Sequence, residues 1–261
     1  MEDTIYLFIS HTHADLAKVR VVRNYIESLG AEPILFYLKS LTDEDKITQL
    51  IKDEIDARIW FIYCRSLLAE ESTWVQTELD YVRESGKKNR MVIDLDWDFE
   101  GMELTEDVKK RIVVNLSNIR SNSTFYIGYS HRDRDVVRRV VDVLARYNIR
   151  FLMDEDVLCV GDNNWAKTIE DCIEASRYYL LFVSNASLDS MYIKREVNRA
   201  RQLGKTILPV LLTPISFEEM DDSTVAMAIR NMRYIWFDTA DIDKSAVALV
   251  NSIVDMLEYR A

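Results

Sequence analysis

The sequence predicts an α/β protein built from two parallel sheets, each with helices on both faces. Short, continuous apolar runs alternate with amphipathic segments of helical period along the 261 residues. Continuous apolar runs are typical of strands that are covered on both faces, and their alternation with helices favours parallel pairing. The whole pattern occurs twice, which indicates an internal duplication.

In the first half, Thr4–Ser10 is a continuous apolar run and predicts a strand. Ala14–Leu29 has inward-facing apolar positions at helical spacing and ends at Gly30, a common residue after a helix. The same two patterns predict three further strands and three further helices. The strands are Glu32–Leu38, Ile59–Cys64 and Arg90–Leu95, and the helices are Asp43–Ala57, Thr73–Ser85 and Glu106–Leu116, the last preceded by an acidic loop, Asp94–Glu103.

The second half repeats this order and continues further. Its predicted strands are Phe125–Ser130, Arg150–Met153, Tyr178–Val183, Lys205–Leu212 and Tyr234–Phe237. Its predicted helices are Arg134–Tyr147, Trp165–Ala175, a segment from Met191 that carries Glu196, and Lys244–Tyr259. We place the first domain at 1–120 and expect it to be trimmed at its C-terminal end. We place the second domain at 121–261 and expect it to be complete. The short connection Ser117–Thr124 predicts that the halves pack rigidly.

Composition excludes several classes of function. The net charge of −11 argues against a nucleic-acid partner, which needs a basic face. The longest apolar runs are far shorter than the ~20 residues that cross a bilayer, and the start lacks a signal-peptide pattern, so we expect a cytoplasmic protein without a membrane partner. Cys64, Cys159 and Cys172 do not make a disulfide framework. His11 and His13 alternate on a loop without further ligands, which predicts no metal site.

Two glutamates are candidates for chemistry. Glu78 follows Trp74 by four positions, and Glu196 follows Tyr192 by four, so each pair shares one helix face. Ligands of doubly wound sheets bind beyond the carboxyl ends of the strands, where four serines lie: Ser10, Ser66, Ser130 and Ser184. Simpler interpretations exist, because such a Glu is usually solvated, such an aromatic usually packs in the core, and such a Ser commonly caps the next helix.

Several segments resemble Toll/interleukin-1 receptor (TIR) domains. Phe8–Asp15 and Tyr126–Asp133 resemble the opening strand and loop of that family. Its third helix is matched by Ser-x-Trp-x-x-x-Glu ending at Glu78 and Ser-x-x-Ser-x-Tyr-x-x-x-Glu ending at Glu196. Its second strand and BB loop resemble Phe151–Asp154 followed by Gly161, Asp162 and Trp165. The resemblance covers nearly the whole chain, once per half, and implies two flavodoxin-like, three-layer domains. The first half lacks the Gly-Asp of that loop.

The resemblance implies an NAD+ glycohydrolase or ADP-ribose cyclase, with Glu78 and Glu196 matching the family's catalytic Glu. Nicotinamide leaves as a neutral molecule, so one carboxylate that stabilises an oxocarbenium-like ribose suffices. NAD+ is then a substrate, and no cofactor is expected. The residues that we expect to bind substrate are Trp74, Tyr192, Ser10, Ser130, Ser66, Ser184, Asp154, Gly161, Asp162 and Trp165.

The resemblance also leaves alternatives open. One is a non-catalytic TIR scaffold that signals by TIR–TIR assembly, and another is a receptor for a nucleotide signal. The expected partners are further copies or other TIR domains, and a separate effector that reads the product, in cytosolic immune signalling of prokaryotes such as antiphage defence. Because each half matches the family better at a different place, a composite site of Trp74, Glu78 and the 157–165 loop is a further hypothesis.

We also expect Glu78→Gln and Glu196→Gln to leave the melting temperature nearly unchanged. This expectation assumes that both side chains are exposed or lie in a cleft. Substitutions at such positions usually change the free energy of unfolding by about half a kcal/mol or less.

Overall fold

The computed structural model describes residues 4–35, 44–87, 89–121, 123–157, 165–215 and 224–259. The chain divides into two compact units, Met1–Asn115 and Leu116–Ala261. Each unit contains a parallel sheet with flanking helices, which confirms the predicted α/β class.

The first unit has the following elements. They are β1 Ile5–Ser10, α1 Leu16–Ser28, β2 Ala31–Ile34, α2 Glu44–Asp56, β3 Trp60–Arg65, α3 Leu67–Glu70, α4 Thr73–Glu84, β4 Arg90–Asp94, β5 Phe99–Glu100, β6 Glu103–Leu104 and the start of α5 Glu106–Ser121. The sheet runs in the order β2-β1-β3-β4, and all its pairings are parallel. Strands β5 and β6 form a separate antiparallel hairpin within the predicted acidic loop.

Side-chain alternation along the strands of the first unit determines what each face buries. Phe8 of β1 and Phe61 of β3 stand opposite each other in register, and their rings stack with centroids 5.8 Å apart. Helices α2 and α4 cover this face through residues such as Ile51 and Val75. Neighbours such as Leu7 point to the opposite face and are also buried, as expected for a strand between two helical layers.

The second unit has the following elements after α5. They are β7 Phe125–Gly128, α6 Arg134–Arg146, β8 Phe151–Leu152, α7 Asp154–Val157, α8 Trp165–Ala175, β9 Tyr178–Val183, α9 Asn185–Asp189, α10 Met191–Gln202, β10 Thr206–Leu211, α11 Thr224–Ile229, β11 Ile235–Trp236 and α12 Ile242–Tyr259. The sheet order is β11-β10-β9-β7-β8, and every pairing is parallel. Helices α8, α10 and α11 cover one face of it, and α6 and α12 pack together.

Helix α5 is longer than the sequence predicts. The prediction ended it at about Leu116, but the helix continues to Ser121, through mainly polar residues. These polar side chains are partly satisfied inside the fold: the Ser117 and Ser123 hydroxyl oxygens lie 2.7 Å apart, and Asn118 Nδ2 donates to the Asn148 carbonyl at 3.0 Å. The predicted connection at 117–124 is therefore largely helical, and rigid packing of the halves stays a prediction.

Two serines that follow strands cap short helices. Ser66 Oγ accepts from the Ala69 backbone N–H at 3.0 Å, and Ser184 Oγ accepts from the Ser187 N–H at 3.2 Å. Each hydroxyl also donates to an aspartate, Ser66 at 2.5 Å and Ser184 at 2.6 Å. These contacts fix the chain where it leaves the third strand of each unit, so the cap interpretation accounts for both residues.

We predict that Ser184→Ala lowers the free energy of unfolding by about 1–3 kcal/mol. The substitution removes the helix cap and leaves the half-buried Asp133 without its hydroxyl donor. The change is measured by denaturant titration. The matched control is Ser252→Ala on α12, where an exposed hydroxyl only returns to the Ala248 carbonyl of its own helix. Equal losses in the two variants would contradict the capping role.

Candidate functional site

Glu196 is buried between α10 and the sheet of the second unit. It lies on the inward side of the helix among Ile193, Val197 and Ala200, and only 9% of it is exposed. Tyr179 donates from its hydroxyl to Glu196 Oε2 at 2.9 Å. The Tyr126 hydroxyl makes a longer contact with Oε1, at 3.5 Å. The carboxyl group is therefore held from the sheet side by tyrosine hydroxyls.

Sheet register places the two tyrosines beneath Glu196. Tyr126 on β7 pairs with Tyr179 on β9, and their rings stack with centroids 5.7 Å apart. Gly128 completes the arrangement, because a Cβ at that position would lie 2.1 Å from the Tyr179 hydroxyl and 3.1 Å from Glu196 Oε2. The glycine is thus required for the close approach of the Tyr179 hydroxyl.

Burial dominates the electrostatics of this carboxyl group. It raises the pKa of Glu196 to about 8, although the hydrogen bond from Tyr179 favours the ionised form, and the charge of Asp154 adds to the rise. Burial and the neighbouring Glu196 also raise the pKa values of Tyr126 and Tyr179, so both phenols stay protonated and act as donors.

A cavity of about 270 Å³ opens on Glu196 at the carboxyl end of the central strands. The residues that matter for its chemistry are Tyr129, Ser130, His131, Asp154, Tyr192 and Glu196. Asp154 Oδ1 accepts from the Tyr129 hydroxyl at 3.1 Å, and its Oδ2 lies 3.1 Å from His131 Nε2. Tyr192, which also lines this cavity, is 56% exposed.

A second cavity, of about 390 Å³, adjoins the first between α8 and α10. The two cavities share Ile169, Tyr192 and Glu196 in their walls. The second cavity is lined by Arg195, Arg199 and Glu170, and the first by Asp154, while Glu196 lies in the walls of both. Arg199 pairs with Glu170 and Glu174. Among these lining residues the arginines lie in the second cavity, and acidic groups lie in both.

The first unit holds Glu78 in a different way. Glu78 is 8% exposed on α4, and its Oε2 accepts from the Ser10 hydroxyl at 2.5 Å. Burial raises the pKa of Glu78 to about 7, against the effect of the Ser10 hydrogen bond. Trp74, one helical turn earlier, is 41% exposed.

The structure sorts the candidate residues into groups. Ser130, Asp154, Tyr192 and Glu196 line one cavity, and Ser130 also accepts from the Arg132 backbone N–H at 3.4 Å. Ser10 contacts Glu78, while Ser66 and Ser184 act as caps. Gly161 and Asp162 lie outside the described residues, as does the 36–43 segment. Trp165 begins α8, but its side chain is outside the described part. The proposed composite site with the 157–165 loop is therefore untested.

Burial of the two glutamates corrects one expectation. The expected small effect on the melting temperature assumed side chains that are exposed or lie in a cleft. Both carboxyl groups are instead enclosed and hydrogen-bonded to strand residues. A buried ionisable group couples folding to pH, so an unchanged melting temperature is not expected.

Sequence reasoning assigned no role to Tyr126, Gly128, Tyr129, His131 or Tyr179. A usable signal existed, because a tyrosine inside an otherwise apolar, buried strand needs a partner for its hydroxyl. The sequence does not say which group that partner is. The partner can be identified only from the three-dimensional structure, because Tyr126 and Glu196 are 70 positions apart in the sequence.

Comparison with known proteins gives one family match. The sequence profile described as TIR domain matches residues 125–250. The second unit contains a TIR domain. The match covers slightly less than half of the chain and does not extend to the first unit. No curated protein matches the chain.

Solved structures show similar TIR folds at low identity. One is the TIR domain of the Toll-related receptor TRR-2 from Hydra magnipapillata, at 20% identity and a TM-score of 0.41, covering 50% of this chain and 97% of that one. The TIR domains of the activated Roq1 resistosome, which recognises the effector XopQ, align at 14% identity and 0.42, covering 50% and 99%. A TIR-STING receptor from C. gigas in complex with 2′,3′-cGAMP aligns at 21% and 0.38, covering 48% and 39%.

Within the described ranges, no helix is both long and apolar enough to span a membrane.

We predict that Glu196→Gln raises the melting temperature at alkaline pH. The pKa of about 8 in the folded protein exceeds the ordinary value of 4.5, so between these values the folded state holds a proton that the unfolded chain has released. Wild-type stability therefore falls as pH rises through this window, by about 1.4 kcal/mol per pH unit. The amide resembles the protonated carboxyl group and does not ionise.

The measurement is a melting curve at about pH 5 and again at about pH 9, chosen to bracket this window. The variant should match the wild type at the lower pH and melt at least ~3 °C higher at the upper one. Glu84→Gln, on an exposed position of α4, is the control and should show no such divergence. Parallel curves for Glu196→Gln and wild type would contradict the raised pKa.

Proposed function

We propose that the TIR domain cleaves the nicotinamide–ribose bond of NAD+ with Glu196 as the catalytic carboxylate. The supporting observation is a buried carboxyl group that faces a cavity at the carboxyl edge of the sheet, with an exposed aromatic residue that also lines the cavity. This is the place where doubly wound sheets bind ligands. Glu78 and Trp74 form the corresponding candidate pair of the first unit, which we propose is a second, divergent TIR-like domain.

The charge distribution suits NAD+. The nicotinamide ring is cationic, and the first cavity contains Glu196 and Asp154. The diphosphate is anionic, and the adjoining cavity contains Arg195 and Arg199 beside Glu170. In this arrangement Tyr192 stacks on the ring of the substrate, and Ser130 lies within the cavity, where its hydroxyl would meet the ribose. As the bond breaks, positive charge moves to the ribose, and the Glu196 carboxylate stabilises it.

No general acid is needed for this step, because nicotinamide leaves as a neutral base. The C–N electrons go to the ring nitrogen and remove its positive charge. The ribose cation is then captured by water, which gives ADP-ribose, or by a nucleophile of the substrate itself, which gives a cyclic product. A separate effector that binds the product, in an immune signalling role, completes this proposal.

A non-catalytic scaffold is the second candidate. The observation in its favour is the pKa of Glu196, which is raised to about 8. Without a ligand, the Glu196 carboxyl group is therefore mostly neutral at pH 7. Large exposed apolar residues also adjoin the site, with Met191 62% and Tyr192 56% exposed. A scaffold would use that surface for assembly with other TIR domains and would leave NAD+ intact.

We predict that the purified chain, at high concentration and with a crowding agent, converts NAD+ to nicotinamide and an ADP-ribose product detected by mass spectrometry. Glu196→Gln should lower the rate by about 10²–10³-fold, since it removes the charge that stabilises the ribose cation. Tyr192→Ala should lower it by roughly 2- to 10-fold through loss of stacking, which is worth about 0.5–1.5 kcal/mol. The fold should survive the latter change because the ring is exposed.

Two variants make this assay specific. Glu84→Gln removes an exposed carboxylate and should keep the wild-type rate. Glu78→Gln tests the first unit: an unchanged rate assigns catalysis to Glu196, and a loss equal to that of Glu196→Gln assigns a role to both units. Intact NAD+ after incubation with wild-type protein, together with concentration-dependent assembly, would favour the scaffold.

The pH profile provides a further prediction. If ionised Glu196 is the reacting form, kcat/KM rises with pH and levels off near the pKa of about 8 in the free protein. If Glu78 carries the reaction, the plateau begins near the pKa of about 7. The profile is measured on the wild type and on Glu78→Gln. A rate that falls between these pH values would contradict a catalytic carboxylate at either position.

A further inference from the structure

The two units carry equivalent side chains at a constant interval of 118 positions, which separates Ser66 from Ser184 and Glu78 from Glu196. Both serines cap the helix that follows the third strand, and each donates to an aspartate 51 positions before it. Both glutamates are buried on the helix that comes next. The units therefore hold a carboxyl group at the same place in the same fold, and their differences around it can be compared residue by residue.

Among the positions that differ around the carboxyl group, three form a set. The stacked rings of the second unit are tyrosines and those of the first are phenylalanines, in the same register on the same two strands. Where the second unit has a glycine at the end of its first strand, the first unit has a serine. The three pairs are Phe8 and Tyr126, Phe61 and Tyr179, and Ser10 and Gly128.

Sterics explain why the changes occur as a set. The Tyr179 hydroxyl occupies the space beside Gly128, where a Cβ would lie 2.1 Å from its oxygen and 2.6 Å from Cζ. Both distances are far below any van der Waals contact, and the ring is fixed by stacking on Tyr126. Loss of the hydroxyl relieves the 2.1 Å overlap but not the 2.6 Å one, because phenylalanine keeps Cζ, so the ring must also shift slightly. In the first unit Phe61 and Ser10 are accommodated together. The hydroxyl that Phe61 lacks is replaced by that of Ser10, which donates to Glu78.

We propose that Gly128 and Tyr179 form a matched pair that positions the Glu196 carboxyl group, and that Ser10 and Phe61 form the alternative matched pair for Glu78. Each pair supplies one hydroxyl donor to one carboxyl oxygen. In the first pair the donor is the Tyr179 hydroxyl, and in the second it is the Ser10 hydroxyl. A mixed set either overlaps, as serine beside tyrosine, or lacks the donor, as glycine beside phenylalanine. Any effect of these pairs on catalysis rests on the function proposed above. The energetic coupling between the two residues of a pair does not.

The Gly128–Tyr179 pair also makes the two carboxyl oxygens of Glu196 unequal. Tyr179 donates to Oε2 at 2.9 Å, while the Tyr126 hydroxyl lies 3.5 Å from Oε1. Oε1 is thus the less strongly held oxygen. Tyr179 and Gly128 act through Glu196 and do not themselves contact the ligand.

The test is a double-mutant cycle in the full chain, with melting temperature as the first measurement. Gly128→Ser should lower it by roughly 3–10 °C through overlap with the Tyr179 hydroxyl. Tyr179→Phe should lower it by about 2–6 °C through loss of the donor. The double variant Gly128→Ser/Tyr179→Phe reproduces the residues of the first unit. It should melt above Gly128→Ser, with a total loss smaller than the sum of the two single losses. Additive losses would overturn the proposal.

The second measurement follows the Glu196 proton directly. The ¹³C signal of the side-chain carboxyl group, assigned by its absence in Glu196→Gln, is titrated with pH. Tyr179→Phe removes the hydrogen bond that favours the ionised form, so the midpoint should move up by about 1 pH unit, and the double variant should bring it back. Tyr178→Phe is the matched control: it removes a buried tyrosine hydroxyl one position away, from a ring that stacks on Phe125, and should leave the midpoint unchanged.

The first unit supplies an independent cycle if Gly128→Ser does not fold. Phe61→Tyr and Ser10→Gly should each destabilise the chain, and their combination should recover most of the loss. Failure to recover in both units would overturn the proposal. Because neither measurement uses NAD+, coupling in a chain that leaves NAD+ intact would contradict only the proposed function. Additive effects of the two substitutions in a chain that cleaves NAD+ would contradict only the proposed matched pairs.

Discussion

Each unit depends on a carboxyl group that is buried against the face of its sheet. An isolated carboxylate inside a protein is strongly unfavourable, so such a group either stays protonated or finds hydrogen-bond donors. Glu196 does both, with its pKa raised to about 8 and a tyrosine hydroxyl 2.9 Å away. The donors come from the sheet, Ser10 for Glu78 and Tyr179 for Glu196. This requirement explains the polar atoms in otherwise apolar central strands.

Parallel strand order turns this buried contact into an open site. The central strands β7 and β9 carry the tyrosines on the face below α10, and their carboxyl ends lie at one edge of the sheet. The segments that leave β7 and β8 at that edge bring Ser130, His131 and Asp154 to the cavity that exposes Glu196. The carboxyl group is thus held from below and accessible from the edge, which combines a fixed position with access for a ligand.

The sequence predicted most of the fold and part of the site. Periodicity located the long elements, such as α8 Trp165–Ala175 and β9 Tyr178–Val183, with the same bounds as in the structure. It failed where tertiary contacts decide: α5 continues past Leu116 because polar residues there find buried partners, and a hairpin forms inside the acidic loop. For the site, spacing brought Tyr192 and Glu196 together on one helix but could not show that Glu196 is buried. That outcome depends on Tyr179 and Tyr126, which lie 17 and 70 positions away.

The charge of one carboxyl group separates the two candidate functions. At neutral pH, ionising a group whose pKa is about 8 costs about 1.4 kcal/mol for each unit between pH and pKa. That amount is small compared with the attraction of a cation a few ångströms away in a partly dry cavity, which reaches about 4 kcal/mol at an effective dielectric of 20. A cationic nicotinamide ring, and still more the ribose cation, would therefore ionise Glu196 on arrival. A neutral ligand or a protein surface would leave it protonated, because neither supplies the compensating charge. The raised pKa is thus compatible with catalysis on a cationic substrate. A mostly protonated carboxyl group would attract neutral ligands only weakly.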